Sequence, residues 1–345
     1  MNEYAIMLYP AANRVYAESS MALLAGELRV FDLAALGGVL ADITEVSLGG
    51  VPYITFRAPE LTEDQIDLLS NLSTLYALFE VRDEWLRPVA LHRLDSFDSD
   101  LLTIQKYAGK TNELFTKLLL NLTALATDSP GELSTEKLRV LDPVCGRGTT
   151  LNQAMMYGFD AAGIDVDGRD FDEYAKFIRT WLKNKRLKHS AEVAPIRRNK
   201  AHVGRRLDVT LGVTKERYQA GDTVKLAYVQ ADTVRANEFF RSGAFDLVVA
   251  DAPYGVQHGS HKGGERLNRS PTELLTEALP AWVSLLRPGG AVGISWNVHV
   301  AKRVELTTLL ADAGLDVLDS PEYQAFQHRV DQAIMRDLVL ARKPH

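Results

Sequence analysis

The spacing of apolar residues divides this 345-residue chain into two differently patterned halves. In the first, residues 4–9 read as a strand, and 13–30 as a helix with Met21, Leu24 and Leu28 on one face. Two strand-like runs then meet at Gly49-Gly50, as in a tight hairpin. TEDQ (62–65) opens a second helix with a Thr…Gln capping box, and Ile66, Leu69, Leu72, Leu75, Tyr76 and Phe79 continue at helical spacing. WLRPVAL (85–91) reads as a strand at a sheet edge, because Pro88 cannot donate to a ladder. The order β-α-β-β-α-β predicts a small α+β ferredoxin-like domain over residues 1–100. Residues 101–137 connect it to the rest through a strongly amphipathic helix (110–126) and a polar linker (127–137).

From 138 onwards strands and helices alternate. Strands fit 138–142, 159–165, 226–231, 245–250, 290–296, 315–319 and 334–342; helices fit 149–158, 169–183, 233–242, 272–286 and 301–313. This predicts an α/β domain over 138–345, built on an open, doubly wound, mostly parallel sheet. Residues 183–225 interrupt the alternation as an insertion.

Composition changes this picture little. No run of about 18 apolar residues suggests a membrane span. MNEYAIMLYP lacks the basic flank and apolar core of a signal peptide. A single cysteine, Cys145, excludes an internal disulfide and a cysteine-based zinc site. A cytoplasmic location is the expectation. Charge changes it more. The net charge of −6 argues against nonspecific polyanion binding, yet Lys183 to Arg206 holds nine Lys or Arg against Glu192 alone. That island, with Lys185, Arg186, Lys188, Arg197 and Arg198, suits a particular anionic partner or else a solvated loop.

Candidate chemistry sits at strand ends. DPVCGRGTTL (142–151) falls where the first parallel strand turns into a helix. Gly146 and Gly148 let backbone approach a ligand, and Thr149 and Thr150 can cap the helix. Leu151 stands where a dinucleotide fingerprint needs its third glycine, so a smaller zwitterionic nucleoside fits better. The D-x-x-x-G-x-G spacing suits S-adenosylmethionine, with Asp142 near the methionine ammonium and Pro143, Cys145, Gly146, Gly148 and Thr149 around it. Asp165 ends the second strand, placed for ribose hydroxyls, and Asp232 ends the third, beside the adenine. DAPYG (251–255) closes the fourth strand. An amine on a base is a poor nucleophile. Asp251 would accept one N–H, the Ala252 carbonyl the other, Pro253 would fix that carbonyl's direction, and Tyr254 would stack on the base. The glycine-rich loop after it (255–270) carries His258, His261, Lys262, Arg266 and Arg269, and reads as a lid or phosphate clamp, or as exposed linker. Two histidines three apart do not make a metal site, and none is expected. Cys145 reads as a packing residue; Trp181 and Trp296 read as core.

DPVCGRGTTL together with DAPYG resembles the Asp/Asn/Ser-Pro-Pro-Tyr/Phe/Trp class of amino methyltransferases, and within it the tRNA guanosine-N2 methyltransferases related to the THUMP-containing enzymes. The resemblance covers about residues 110–345. It implies a Rossmann-like class I methyltransferase sheet and S-adenosylmethionine-dependent methylation of a guanosine amine in structured RNA, with tRNA the partner. Ala252 departs from the pattern by replacing its first proline. The first 100 residues have room for a ferredoxin-like module but not for a full THUMP domain as well. Two alternatives stay open. One is a DNA adenine or cytosine amino methyltransferase, which would flip its base out of the duplex. The other is a non-catalytic protein of the same fold that binds RNA.

Overall fold

The computed structural model describes residues 1–11, 13–198, 201–252 and 271–345. The chain begins with β1 (Asn2–Leu8), α1 (Arg14–Phe31) and a π-helical turn (Asp32–Leu36), followed by β2 (Ala41–Leu48), β3 (Val51–Ala58), α2 (Glu63–Leu69), β4 (Leu75–Arg82) and β5 (Trp85–Val89). These strands form an antiparallel sheet in the order β2-β3-β1-β4-β5. The Thr62–Gln65 capping box starts α2 in both directions. The helix stops at Leu69, however, and the apolar run that reads as its continuation is β4. Two effects decide this. The Ser70 hydroxyl and the Asn71 amide donate back to the carbonyls of Ile66 and Asp67, at 2.6 and 2.9 Å, and compete with further helix. A bulge then lets Leu75 pair with Leu8 while Ala77 pairs with Met7, so Leu75 and Leu78 are both buried although three apart. The period of three that suggests a helix is that bulge. β5 is the edge strand, as Pro88 requires.

Two short helices, α3 (Asp100–Thr103) and α5 (Glu132–Thr135), flank α4 (Glu113–Leu125). Asn112 caps α4 by accepting from the backbone N–H groups of Leu114 and Phe115. The expected amphipathic connector is more deeply placed than its pattern indicates: Phe115, Thr116 and every residue from Leu118 to Leu125 are buried. One apolar core runs without a break from Tyr4 and Ile6, through Leu118 and Leu122, to Leu151 and Tyr228. A buried polar network crosses the same region. Glu27 of α1 accepts from the Ser73 backbone and hydroxyl and from the Asn121 amide, and Tyr157 donates to the Asn121 carbonyl at 2.8 Å. Burial pushes the Glu27 carboxyl above its ordinary range, and these donors pull against that.

The second sheet is built from β6 (Arg139–Asp142), α6 (Thr149–Met156), β7 (Asp160–Asp165), α7 (Gly168–Asn184), β8 (His189–Arg198), β9 (Ala201–Leu211), α8 (Lys215–Gln219), β10 (Val224–Gln230), a 3-10 turn (Thr233–Glu238), β11 (Phe245–Asp251), α9 (Pro271–Leu285), β12 (Leu286–Asn297), α10 (Arg303–Asp312), β13 (Asp316–Leu318), a 3-10 turn (Pro321–Gln324), β14 (His328–Arg329) and β15 (Met335–Arg342). Its order is β13-β15-β12-β11-β6-β7-β10-β9-β8, with β14 pairing β15 outside this path. β10, β7, β6, β11 and β12 are parallel, and β15 returns antiparallel to β12. Residues 233–242, which suggest a full helix, make only the 3-10 turn. The basic insertion is a hairpin, β8–β9, that extends the sheet antiparallel to β10. One face of the sheet packs on α4, α6 and α7. The other packs on α9 and α10 around Trp282. Trp181 and Trp296 are buried, their indole N–H groups donating to Asp100 and to the Ala301 carbonyl. The strand order reverses beside β6, so the carboxyl ends of β6 and β11 flank the switch point at which open sheets of this kind bind ligands. Among the described residues no helix is long and apolar enough to cross a membrane.

Candidate functional site

The loop leaving β6 is a tight, cross-braced turn. Cys145 N–H donates to the Ile164 carbonyl and Gly148 N–H to the Cys145 carbonyl, at 3.0 and 2.7 Å. Tyr228 donates to the Gly146 carbonyl at 2.7 Å. Gly146 and Gly148 lie at φ +47° and +77°, and a Cβ at Gly148 would come within 2.3 Å of the Tyr174 ring. At Gly146 the same atom would meet nothing within 4 Å among the described residues, so this glycine borders space that they leave open. Pro143 and Cys145 are buried in the turn, and burial pushes the thiol well up, which suits packing and not nucleophilic attack. The two threonines do not cap α6; Gly148 occupies that position. Thr150 instead donates to Asp142, and the Thr149 hydroxyl lies 3.3 Å from that of Tyr107.

Three acids surround this loop. Asp142 is buried, accepts from Val144 N–H at 3.1 Å, and has no cation beside it among the described residues. Burial, together with the charges of Asp251 and Asp165, raises its carboxyl to about 7. Asp165 accepts from Gly146 N–H at 2.8 Å and from Asp167 N–H at 2.9 Å, and burial raises it to about 6. It thereby ties the glycine loop to the end of β7. Asp232 lies just past β10 and caps the 3-10 turn, accepting from Val234 N–H at 3.1 Å.

Asp251, on the strand next to Asp142, is held differently. Its Oδ1 accepts from the Ser295 hydroxyl of β12, and its Oδ2 from the Thr111 hydroxyl just before α4. The Arg336 guanidinium of β15, 3 % exposed, lies 3.5 Å from Oδ2. Ala252 N–H donates to the Ser295 carbonyl at 2.9 Å. Thr111, Ser295 and Arg336 carry no motif, yet a clue to Arg336 exists: MRDLVLAR puts two charges inside an otherwise apolar strand. Tyr107 gives no such signal. It lies under the Arg147 guanidinium, 4.8 Å from it, and Arg147 pairs with Asp170 at 2.8 Å. Pro253, Tyr254, His258 and Arg266, with the whole loop 255–270, lie outside the described residues.

The basic segment is less bare than its composition suggests. Lys185 is held by Asp98 and Asp100, both at 2.7 Å. Arg198 pairs with Glu238 and lies over Phe239, Arg205 pairs with Asp172 at 2.6 Å, and Arg206 with Asp208 at 2.9 Å. Among the described residues, Lys183, Arg186, Lys188 and Arg197 are exposed and make no ion pair. A shallow cleft of about 240 Å³, lined by Arg139, Arg206, Lys225 and Phe240, lies at the opposite ends of the strands, away from the acids just described.

Among the described residues, a buried carboxylate with no cation, a glycine facing open space and a second acid beyond it make a set of acceptors suited to a small cationic nucleoside. Residues 132–289 match the model of the family described as UPF0020, RMKL-like, methyltransferase domain. A comparison with curated proteins finds no match in sequence. Among solved structures, the chain is similar to the N-methyltransferase NodS from Bradyrhizobium japonicum (15% identity over 67% of this chain and 95% of that one, TM-score 0.38). It is also similar to 1,6-didemethyltoxoflavin-N1-methyltransferase from Burkholderia thailandensis (17%, 61% and 72%, TM-score 0.34), and to a SAM-dependent methyltransferase from Methanosarcina mazei (14%, 61% and 94%, TM-score 0.38). Residues 132–289 are similar to a methyltransferase domain, and the cofactor that this similarity supports is S-adenosylmethionine.

Proposed function

We propose that this chain methylates an exocyclic amine of a base in structured RNA, with guanosine N2 in tRNA the first candidate. The observation that carries the reading is Asp251, a braced carboxylate at the strand end next to Asp142, near enough for the two charges to act on each other. When bound, S-adenosylmethionine supplies an electrophilic methyl group. Asp142 would hold its ammonium, the backbone around Gly146 would pass beside it, and Asp165 would receive its ribose. Asp251 orients the amine by accepting an N–H, and draws density from the ring back onto nitrogen. Alignment of two held reactants contributes up to roughly 7–11 kcal/mol in favourable cases. Pro253 and Tyr254 are assigned the turn and the stacking face of the motif. Lys188, Arg186 and Arg197 on and beside the hairpin are exposed cations for the RNA backbone, with His258 and Arg266 as further contacts. Lys185 and Arg198 are engaged with acids and contribute less.

The test is transfer of labelled methyl to tRNA transcripts, with duplex DNA alongside. Label in tRNA that digests to N2-methylguanosine supports the reading. Label in DNA alone, or in no nucleic acid, overturns it.

A further inference from the structure

We infer that Arg336 is a positioning residue for the Asp251 carboxylate, an inference that rests on the amine-methylating reading of the site. Among the described residues, the carboxylate is reached from three places: Thr111 before α4, Ser295 of β12 and Arg336 of β15. The two hydroxyls can rotate about their own bonds, so they follow the carboxylate as readily as they fix it. Arg336 cannot follow. Its guanidinium lies 4.2 Å from the Phe115 ring centroid, and the side chain is buried. Phe115 is itself buried, on the face of α4 that packs into the core. His328 closes the same group, its ring 5.1 Å from Phe115 and 6.1 Å, edge-on, from Tyr16 of α1. Its Nδ1 lies 2.9 Å from the Phe326 carbonyl. The planar cation is therefore held between its own strand β15 and the Phe115 ring of α4, and presents one fixed face to Oδ2. A carboxylate that must hold an amine in line for transfer needs such a fixed reference, since a displacement of about 1 Å costs roughly 100-fold in rate.

Arg336→Met and Arg336→Lys in the full chain test this. Methyl transfer to a tRNA transcript gives kcat and KM, and calorimetry gives cofactor affinity. Arg336→Met lowers kcat about 100-fold and leaves KM and cofactor affinity within about twofold. Arg336→Lys recovers about tenfold of that loss, because a point charge restores attraction without the planar fork. Unchanged kcat, or a loss confined to KM or cofactor affinity, overturns the inference. A melting cycle needs no substrate: Arg336→Lys and Asp251→Asn each lower Tm, and together they lower it by less than the sum. Additive shifts overturn the pairing. Wild-type protein that methylates neither RNA nor DNA would refute the amine-methylating reading, and the cycle would still decide the pair.

Discussion

Asp142 and Asp251 end neighbouring parallel strands, yet their surroundings are opposite. Asp142 is buried with backbone and hydroxyl donors and no cation among the described residues, and burial lifts it to about 7. Asp251 faces a buried guanidinium and two hydroxyls. The first site is electrostatically incomplete until a positive ligand arrives. The second is complete in itself, and can only accept hydrogen bonds from what enters. On the proposed reading, the same residue type would recruit a charged cofactor at one strand end and orient a neutral amine at the next.

Breaking the second site has the larger effect. Asp251→Ala lowers single-turnover methyl transfer by about 10²–10⁴-fold, the range for a positioned proton acceptor, while calorimetry shows cofactor still binding. Normal turnover would remove Asp251 from the chemistry. Breaking the first site gives the reverse split. Asp142→Asn weakens cofactor affinity about 10–100-fold, the value of a hydrogen bond to a charge, yet above pH 7 the cofactor-free protein melts higher than wild type. A lower Tm would mean that Asp142 is not a destabilising buried charge.

Titration sharpens the contrast. The folded pKa values of Asp142 and Asp165 are raised to about 7 and about 6, so the folded state holds protons that the unfolded state has released. Their contribution to stability is full below the ordinary carboxylate range near pH 4 and is lost as pH rises towards 7. A cationic ligand prefers the ionised form. Cofactor affinity therefore falls about tenfold per pH unit below pH 7, and the melting shift it produces is larger at pH 8 than at pH 6. A pH-independent affinity would show that the ligand does not meet Asp142. The smallest effect expected is that of Thr111→Ala, about 3–10-fold on kcat with cofactor affinity unchanged, the value of one neutral hydrogen bond.

How far the sequence reveals this molecule depends on the range of the interaction. The parallel strands, the glycine loop and the strand-end acids follow from local pattern, because a βα unit writes its turn chemistry where it uses it. β4 misleads because a bulge reproduces a period of three. The depth of α4 is hidden because its neighbours come from both halves of the chain. Arg336 reaches Asp251 only through the antiparallel pairing of β15 with β12, where Trp296 faces Asp337 and Asn297 faces Arg336. Spacing in sequence carries no information about such a contact. The basic island is overstated for the same reason: the acids that pair with Lys185, Arg198 and Arg205 lie outside the segment.

The uninterrupted core around α4 has a mechanical consequence. Among the described residues, the amino-terminal module is joined to the second sheet by one continuous core through Leu118 and Leu122 and by the Glu27–Asn121 network. On the proposed reading, a substrate held by that module would sit at a set span from Asp251, and the assembly would work as a caliper, choosing its nucleotide by how far that nucleotide stands from a landmark elsewhere on the substrate.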